Sequence, residues 1–445
     1  MRPSPGGLVA ALGPVLRDRG GVWVGWPGTT EPIPIDQVTG ALEAQAGYSV
    51  RPVLLDGEEV AGYYFGFSNE ILWPLFHDLQ NFCNFDPAYW TAYQAANRKF
   101  AEAVAPDVKK RDYVWVHDYH LTLLARELRA LGVGCRIGFF LHTPFPPLDI
   151  FIKLPWRRQI LLALLDFDLV GFQTARDRSN FVHCVSALLS GYHHDARRHV
   201  GTIEGPDRRV KVGGFPISID FDEFEQQASQ AVVESRKDEL RNAIPDRRII
   251  LGVDRLDYSK GIPQKLRAFG NALERFPELQ GGVSLVQVLV PSREDILQYQ
   301  SLKADVEGLV SSINGSYTRP GWIPIHYMFR NLDRYELLAY YRAADVALVT
   351  PLKDGMNLVA KEYCAANKDG DGVLILSEFA GAARQLGKSS IVVNPYDIEG
   401  VADAIHQAYH MDVAERRARM QRLRTTIRKR DIFWWVDVFL KEAAG

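Results

Sequence analysis

A chain of 445 residues exceeds what one hydrophobic core organises and implies two domains, three at most. Its 47% hydrophobic and 24% charged content is that of an ordinary globular enzyme. The balance of 52 Lys plus Arg against 54 Asp plus Glu excludes a global field that would attract nucleic acid or an anionic membrane. Any anion must therefore be held locally. Cys83, Cys135, Cys184 and Cys364 lack metal-type or redox-type spacing and read as buried reduced thiols. No charged-then-apolar leader opens the sequence, and even the apolar run 160–170 is interrupted by Asp166 and Asp168, so the expectation is a cytoplasmic protein.

In chain order, residues 1–8 form a glycine loop containing Gly6 and Gly7, followed by a helical stretch 9–19 with no strand before it. Stretches 21–26 and 48–55 read as short strands. Segments 63–69 and 72–77 are dense in aromatics, which in such numbers are usually core. From Tyr113 the pattern alternates. Strands are expected at 113–116, 135–141, 168–173 and 209–216, with helices at 120–131, 151–165 and 175–189, giving a parallel, doubly wound sheet. His117, Asp118 and His120 follow the first of these strands, His142 the second and Gln173 the third. Ligands of open α/β sheets bind beyond the carboxyl ends of strands, so these positions converge on one edge.

A polar stretch, 217–245, suits a linker and a surface helix. The alternation then restarts, with strands at 249–253, 284–290, 323–329, 346–350, 373–376 and 391–393. Gly261-Ile262-Pro263 opens a helix with Leu266, Phe269, Leu273 and Phe276 at helical spacing. Two such domains in tandem imply a cleft between them. The basic run 415–430 reads as a solvated helix face rather than a nucleic-acid site. Segment 432–440 is apolar on more than one side, and the first domain is a natural place for it to pack.

Residues 351–363 read as a strand-to-helix turn. Unsatisfied N–H groups at a helix start attract anions, and Gly355 lets backbone approach a ligand. Asp354 and Glu362 add carboxylates of the kind that grip sugar hydroxyls; phosphate and hydroxyls together indicate a nucleotide or nucleotide sugar. The alternative is an Asp capping a helix and a Glu on its solvated face. Arg255 and Lys260 place two cations beside another helix start, suited to a leaving diphosphate; the alternative there is a salt bridge to Asp254 or Asp257.

Several stretches carry a family resemblance: Trp23 with Trp26, Tyr63-Tyr64 with Trp73-Pro74, Val114 through His120, Gly138 through His142, Arg255 through Gly261, and Asp354 through Glu362 with Ser377-Glu378-Phe379-Ala380-Gly381-Ala382. Over nearly the whole chain the sequence resembles the trehalose-6-phosphate synthases, retaining glycosyltransferases of the GT-B fold with two facing Rossmann-like domains. The resemblance implies an acceptor-binding domain at 1–216, a nucleotide-sugar-binding domain at 217–430, and a C-terminal helix at 431–445 returning to the first domain.

It also implies residue roles. Arg255 and Lys260 hold the donor diphosphate, Glu362 the ribose, Asp354 the hydroxyls of the transferred glucose, and His142 a hydroxyl near the reacting carbon. Gly6, Gly7, Gly355, Met356, Asn357 and Leu358 close around phosphates and sugar. Trp26, Tyr64, Trp73, Asp118 and Arg293 form the acceptor site, with Gln173 a weaker candidate. His142, Arg255, Lys260 and Asp354 are the catalytic set. No cofactor or metal is implied.

The implied reaction moves glucose from a nucleoside diphosphate glucose, taken as UDP-glucose, to the sugar phosphate acceptor glucose 6-phosphate with retention. Retaining hydrolases pair two carboxylates about 5 Å apart. No such pair is implied here, and the leaving phosphate itself takes the acceptor's proton. Family members begin with a strand ending in an arginine that contacts the acceptor phosphate, whereas this sequence starts just short of the loop. The expectation is a truncation or a misplaced start codon.

Leu154-Pro155-Trp156-Arg157 is similar to the glucosylglycerol-phosphate synthases, which use ADP-glucose and glycerol 3-phosphate. A catalytically silent sugar-phosphate-binding relative is the remaining alternative. Neither nucleic acid nor membrane is expected as a partner, and a homo-oligomer stays open.

Overall fold

The chain alternates strands with helices through most of its length. The computed structural model describes residues 7–31, 40, 43, 46–195, 200–292 and 297–444. They fall into two units, Met1–Ile217 with Ile432–Gly445, and Ser218–Asp431.

In the first unit β1 (Val22–Gly25) and β2 (Ser49–Pro52) pair in parallel as a two-stranded sheet. The main sheet contains β3 (Tyr113–His117), β4 (Arg136–Leu141), β5 (Leu169–Phe172), β6 (His193–Asp195), β7 (Val200–Glu204) and β8 (Arg209–Gly214) in the order β3-β4-β5-β8-β7-β6. The pairs β3–β4, β4–β5 and β5–β8 are parallel. The expected all-parallel sheet is corrected at its far side, where β8–β7 and β7–β6 are antiparallel. The physical reason is connection length: a tight turn in which Gly205 N–H donates to Arg208 O (2.9 Å) joins β7 to β8 and is too short for a parallel crossover.

The closing helix Ile432–Ala444 packs on this sheet. Phe439 stacks on Trp115 of β3 at 4.4 Å, and the Trp435 indole N–H donates to Phe215 O at 2.9 Å. Glycine makes room for it. A Cβ at Gly171 of β5 would stand 2.6 Å from the Phe140 ring and 2.7 Å from the Phe439 ring.

The aromatic segment is helical. Val60–Leu72 is a π-helix that continues into the short helix Trp73–Phe76, and Trp73 N–H bonds to Ser68 O in the i to i−5 pattern. Tyr63, Phe67 and Ile71 are buried, whereas Tyr64 keeps part of its ring exposed. Gly7 opens the helix Gly7–Arg19; Gly6 lies outside the described residues.

The second unit is one parallel sheet: β9 (Arg248–Arg255), β10 (Val283–Val290), β11 (Ile325–Phe329), β12 (Val346–Val349), β13 (Val373–Ser377) and β14 (Ile391–Val393), ordered β11-β10-β9-β12-β13-β14. β10 is buried from Val283 to Leu289, as befits a strand covered on both faces. Leu266, Phe269 and Leu273 of the helix Ile262–Arg275 reach the core, and Phe276 ends that helix instead of extending its stripe. The chain adds strands in one direction from β9 and then, starting at β12, in the other. The order therefore reverses at the carboxyl ends of β9 and β12, the switch point where doubly wound sheets bind ligands.

Candidate active site

Both loops at that switch point carry the predicted residues. β9 ends at Arg255 and runs through a tight turn, in which the Asp257 carboxylate accepts from the Ser259 N–H (2.9 Å) and hydroxyl (2.8 Å), to Gly261. Gly261 is left-handed at φ 64°, and a Cβ there would meet Thr350 O at 2.9 Å, so glycine is required where this loop lies against the end of β12. Leu352 N–H donates to Ser259 O (2.8 Å), tying the two loops together.

Asp354 is the hub. Lys260 Nζ donates to its Oδ2 at 2.6 Å. The N–H groups of Met356 and Asn357 donate to Oδ1 at 3.0 and 3.1 Å, and the Asn357 amide reaches Oδ2 at 3.3 Å. Both partners of the ion pair are nearly buried, with side chains 12% and 10% exposed. The helix Leu358–Ala366 is capped by Asn357, left-handed at φ 57°, whose side chain accepts from Ala360 N–H at 3.2 Å. Asp354 is thus not the cap. Glu362 is not on a solvated face: it is partly buried, accepts from the Tyr341 hydroxyl at 2.8 Å, and is pushed up in pKa by burial. Of the two cations, Lys260 pairs with Asp354. Asp254 pairs with the buried Lys265, and Asp257 holds Ser259.

A third segment braces the turn. Asp354 N–H donates to Phe379 O (3.3 Å), Gly381 N–H to Asp354 O (2.8 Å) and Ala382 N–H to Met356 O (2.9 Å). The motif 377–382 was legible as a family stretch, but its task as a backbone brace was not, because nothing in a local pattern says which remote turn it will meet.

In the first unit the strand ends assemble a polar chain. Ile217 N–H donates to Gln173 Oε1 at 2.9 Å, fixing the amide so that its NH₂ faces His142 Nδ1 at 3.1 Å; His142 Nε2 faces His117 Nδ1 at 3.0 Å. The donor order sets the tautomers. His142 accepts at Nδ1 and donates from Nε2, and a proton on Nδ1 would oppose the Gln173 amide protons. Burial holds His117 down at about 3, and burial with the neighbouring His117 lowers His142 well below the usual histidine range. His142, only 1% exposed, is a neutral imidazole with both nitrogens engaged. Beside it Asp118, at a positive φ of 67°, accepts from the N–H groups of His142 (3.2 Å) and Thr143 (3.3 Å), and burial raises its carboxyl to about 6.

The predicted aromatics of this unit gather in one cluster, joined through Tyr119 and His120 with ring centres 4.1 Å apart. The Trp26 ring lies 5.1 Å from that of Tyr64, which stacks on His120 at 5.8 Å, while Trp73 packs on His77 at 4.1 Å and on Tyr119 at 5.7 Å. Tyr119 is tied by its hydroxyl to Asn69 Oδ1 (3.0 Å), and Asn69 donates to Tyr64 O (2.7 Å). Sequence reasoning placed His117 among the converging strand ends but missed Asn69 and Tyr341 as partners; the π-helical spacing that joins Tyr64 to Asn69 has no periodic signature in composition. Arg293 lies outside the described residues.

The histidine pair has a measurable consequence. A histidine whose folded pKa is depressed binds its proton first in the unfolded chain, so stability is lost as pH falls below the unfolded value of about 6.5, by up to ~1.4 kcal/mol per pH unit per group. Asp118 acts with the opposite sign. Its raised pKa makes the folded state the better proton binder between about 6 and 3.8, so protonation there adds stability. With two depressed histidines against one raised carboxyl, the expected melting temperature falls from pH 7 to 6 and goes on falling below that, at about half the slope the histidines alone would give. His117→Gln should flatten the first part, and a parent curve already flat from pH 7 to 6 contradicts the assignment.

The model of glycosyltransferase family 20 matches residues 1–445. The chain belongs to glycosyltransferase family 20. Among the curated members, the trehalose-6-phosphate synthase of Mycobacterium avium (strain 104) is 44% identical over 446 residues, covering 99% of this chain and 90% of that protein. The alpha,alpha-trehalose-phosphate synthase (UDP-forming) of Burkholderia xenovorans, solved with glucose-6-phosphate, superposes with TM-score 0.92 at 35% identity, covering 100% of this chain and 97% of its own. The E. coli structure bound with UDP-2-fluoro glucose gives 0.90 at 37%, with the same coverage. Both are α/β enzymes of the GT-B fold. No described helix of this family 20 chain is long and apolar enough to cross a membrane.

Proposed function

We propose that this chain transfers glucose from UDP-glucose to glucose 6-phosphate, giving trehalose 6-phosphate and UDP. The observation that carries the reading is full-length similarity to trehalose-6-phosphate synthases, one solved with the acceptor and one with a donor analogue. The bond from the donor's anomeric carbon to the diphosphate breaks, a bond from that carbon to the acceptor oxygen forms, and the acceptor's proton leaves with UDP. Configuration is retained.

Arg255 and Lys260 neutralise the diphosphate beside helix starts, and the turn from Asp354 to Leu358 takes the glucose, with Asp354 on its hydroxyls and Glu362 on the ribose. Two features support this assignment: the switch point of the second sheet, and the Lys260–Asp354 pair already held in one geometry. In the resting structure Lys260 and the Met356 and Asn357 N–H groups are engaged by Asp354, so donor binding exchanges some of these contacts for phosphate and sugar oxygens. Trp26, Tyr64, Trp73, Asp118, Gln173 and Arg293 serve the acceptor. His142 stays neutral and is neither acid nor base, consistent with its depressed pKa, and reaches a glucose hydroxyl only by exchanging the Nε2 bond it makes to His117. The protein is cytoplasmic on this reading.

The test is nucleoside diphosphate release from uridine, adenosine and guanosine diphosphate glucose, each offered with glucose 6-phosphate and glycerol 3-phosphate. UDP release that requires glucose 6-phosphate is the expected result. Release only with glycerol 3-phosphate would reassign the acceptor, and silence in every combination would leave a sugar-phosphate-binding protein.

A further inference from the structure

Within the second unit, the opposite edge of the sheet holds a cluster that the transfer reaction does not use. His406 and His410 stand four residues apart on the helix Ile398–His410, so both rings project from one face. Glu278 lies in the turn Pro277–Leu279 that follows the helix Ile262–Arg275. Glu278 Oε1 is 2.8 Å from His406 Nε2 and 3.6 Å from His410 Nε2. All three ligand atoms lie within 4.8 Å of one another. A tetrahedral ion with ligands at about 2.05 Å spaces them about 3.3 Å apart, a value that the two measured separations bracket.

Three further features favour a cation. Both imidazoles present the same nitrogen, Nε2, to the carboxylate. Phe276 stacks on His406 with ring centres 4.0 Å apart and planes 17° from parallel, and Tyr409 meets His410 edge-on at 5.1 Å, so neighbouring rings constrain both imidazoles. Finally, the helices Ile262–Arg275 and Ile398–His410 both end at this cluster, and carboxyl-terminal helix ends carry partial negative charge.

We propose that Glu278, His406 and His410 form a binding site for a zinc-type divalent cation, with water completing the coordination. Two imidazoles and one carboxylate suit first-row divalent ions such as zinc, cobalt and nickel, and fit the hard, oxygen-seeking magnesium and calcium poorly. Held this way, the ion staples the end of one helix to the turn after the other. The site precedes β10, whereas the Asp354 turn follows the opposite, carboxyl end of the strands, so its occupancy is a matter of stability and is independent of glucose transfer.

The experiment uses the full chain without a polyhistidine tag, stripped with a chelator and dialysed. Zinc is titrated by calorimetry, and cobalt(II) by its visible ligand-field bands. The expected result is one saturable site per chain, a melting temperature raised by zinc, and affinity at least about tenfold weaker in both Glu278→Gln and His406→Ala/His410→Ala. A His193→Ala/His194→Ala variant should bind like the parent. If the double variant of the site fails to fold by circular dichroism, Glu278→Gln alone carries the comparison. Absence of saturable binding, or binding that survives Glu278→Gln unchanged, overturns the site. Transferase activity is not the readout, so a failed activity assay leaves this test intact.

Discussion

Asp354→Ala lowers kcat/KM for glucose transfer by about 10²- to 10³-fold, the scale of losing a positioned group at a developing charge. The expectation comes from the number of contacts that end on this one carboxylate. It holds Lys260 at 2.6 Å, two consecutive backbone N–H groups at 3.0 and 3.1 Å, and the side chain of the helix-capping Asn357 at 3.3 Å. Truncation leaves Lys260 nearly buried without its counter-charge, and breaking such a pair costs about 3 kcal/mol or more. It also releases the turn whose N–H groups the donor needs. Asp354→Asn separates the two effects. Its amide oxygen can still accept from Met356 and Asn357, so the turn is kept, while Lys260 loses its counter-charge as in the alanine variant; the melting temperature should fall by less than in Asp354→Ala, and activity should fall for want of the charge. An Asp354→Ala enzyme with parental kcat/KM would remove Asp354 from the mechanism.

The second large effect is expected from a residue with no side chain. In Gly381→Ala the new Cβ would stand 1.8 Å from Gly355 O and 2.7 Å from its carbonyl carbon. Both atoms are backbone, so no side chain can swing aside. Either the brace through Gly381 N–H and Asp354 O opens or the Asp354 turn moves by more than an ångström. A displacement of that size in a substrate-positioning loop costs about 10²-fold in rate. Residues 373–376 of β13 stay paired with β12, so the sheet should survive. The expected outcome is a folded protein with unchanged far-ultraviolet circular dichroism and kcat/KM reduced about 100-fold. Parental kinetics would mean that the brace is not what holds the turn. The comparison with Gly308→Ala is a useful control, since nothing lies within 4 Å of a Cβ at that helical position.

The fold was legible where a local pattern matches a single structural solution. The second unit is the clear case. β10 is a Val- and Leu-rich run, interrupted by Ser284 and Gln287, of the kind a strand buried on both faces accommodates, and Leu266, Phe269 and Leu273 repeat at helical spacing. The first unit was legible up to β8. Its antiparallel extension through β7 and β6 escaped because those strands are short and partly polar, with burial that alternates weakly. The π-helix escaped for a related reason: aromatic density announces burial but carries no period that distinguishes one helical pitch from another.

The candidate site divides along the same line. Length, balanced charge, the alternation of strand and helix, and residue types such as Asp354, Lys260, His142 and Gln173 at strand ends are properties of the sequence itself. They follow from periodicity and from the rule that ligands gather beyond carboxyl strand ends. Which of those groups meet was decided only by the tertiary structure. Lys260 and Asp354 are 94 residues apart, Gln173 and His142 are 31 apart, and Gln173 and Ile217 are 44 apart, so their pairing depends on strand order and not on spacing. Protonation is likewise a tertiary property. An imidazole in sequence titrates near neutrality, and His142 is kept neutral because folding removes its water and sets the Gln173 amide protons against the nitrogen that would have to accept one.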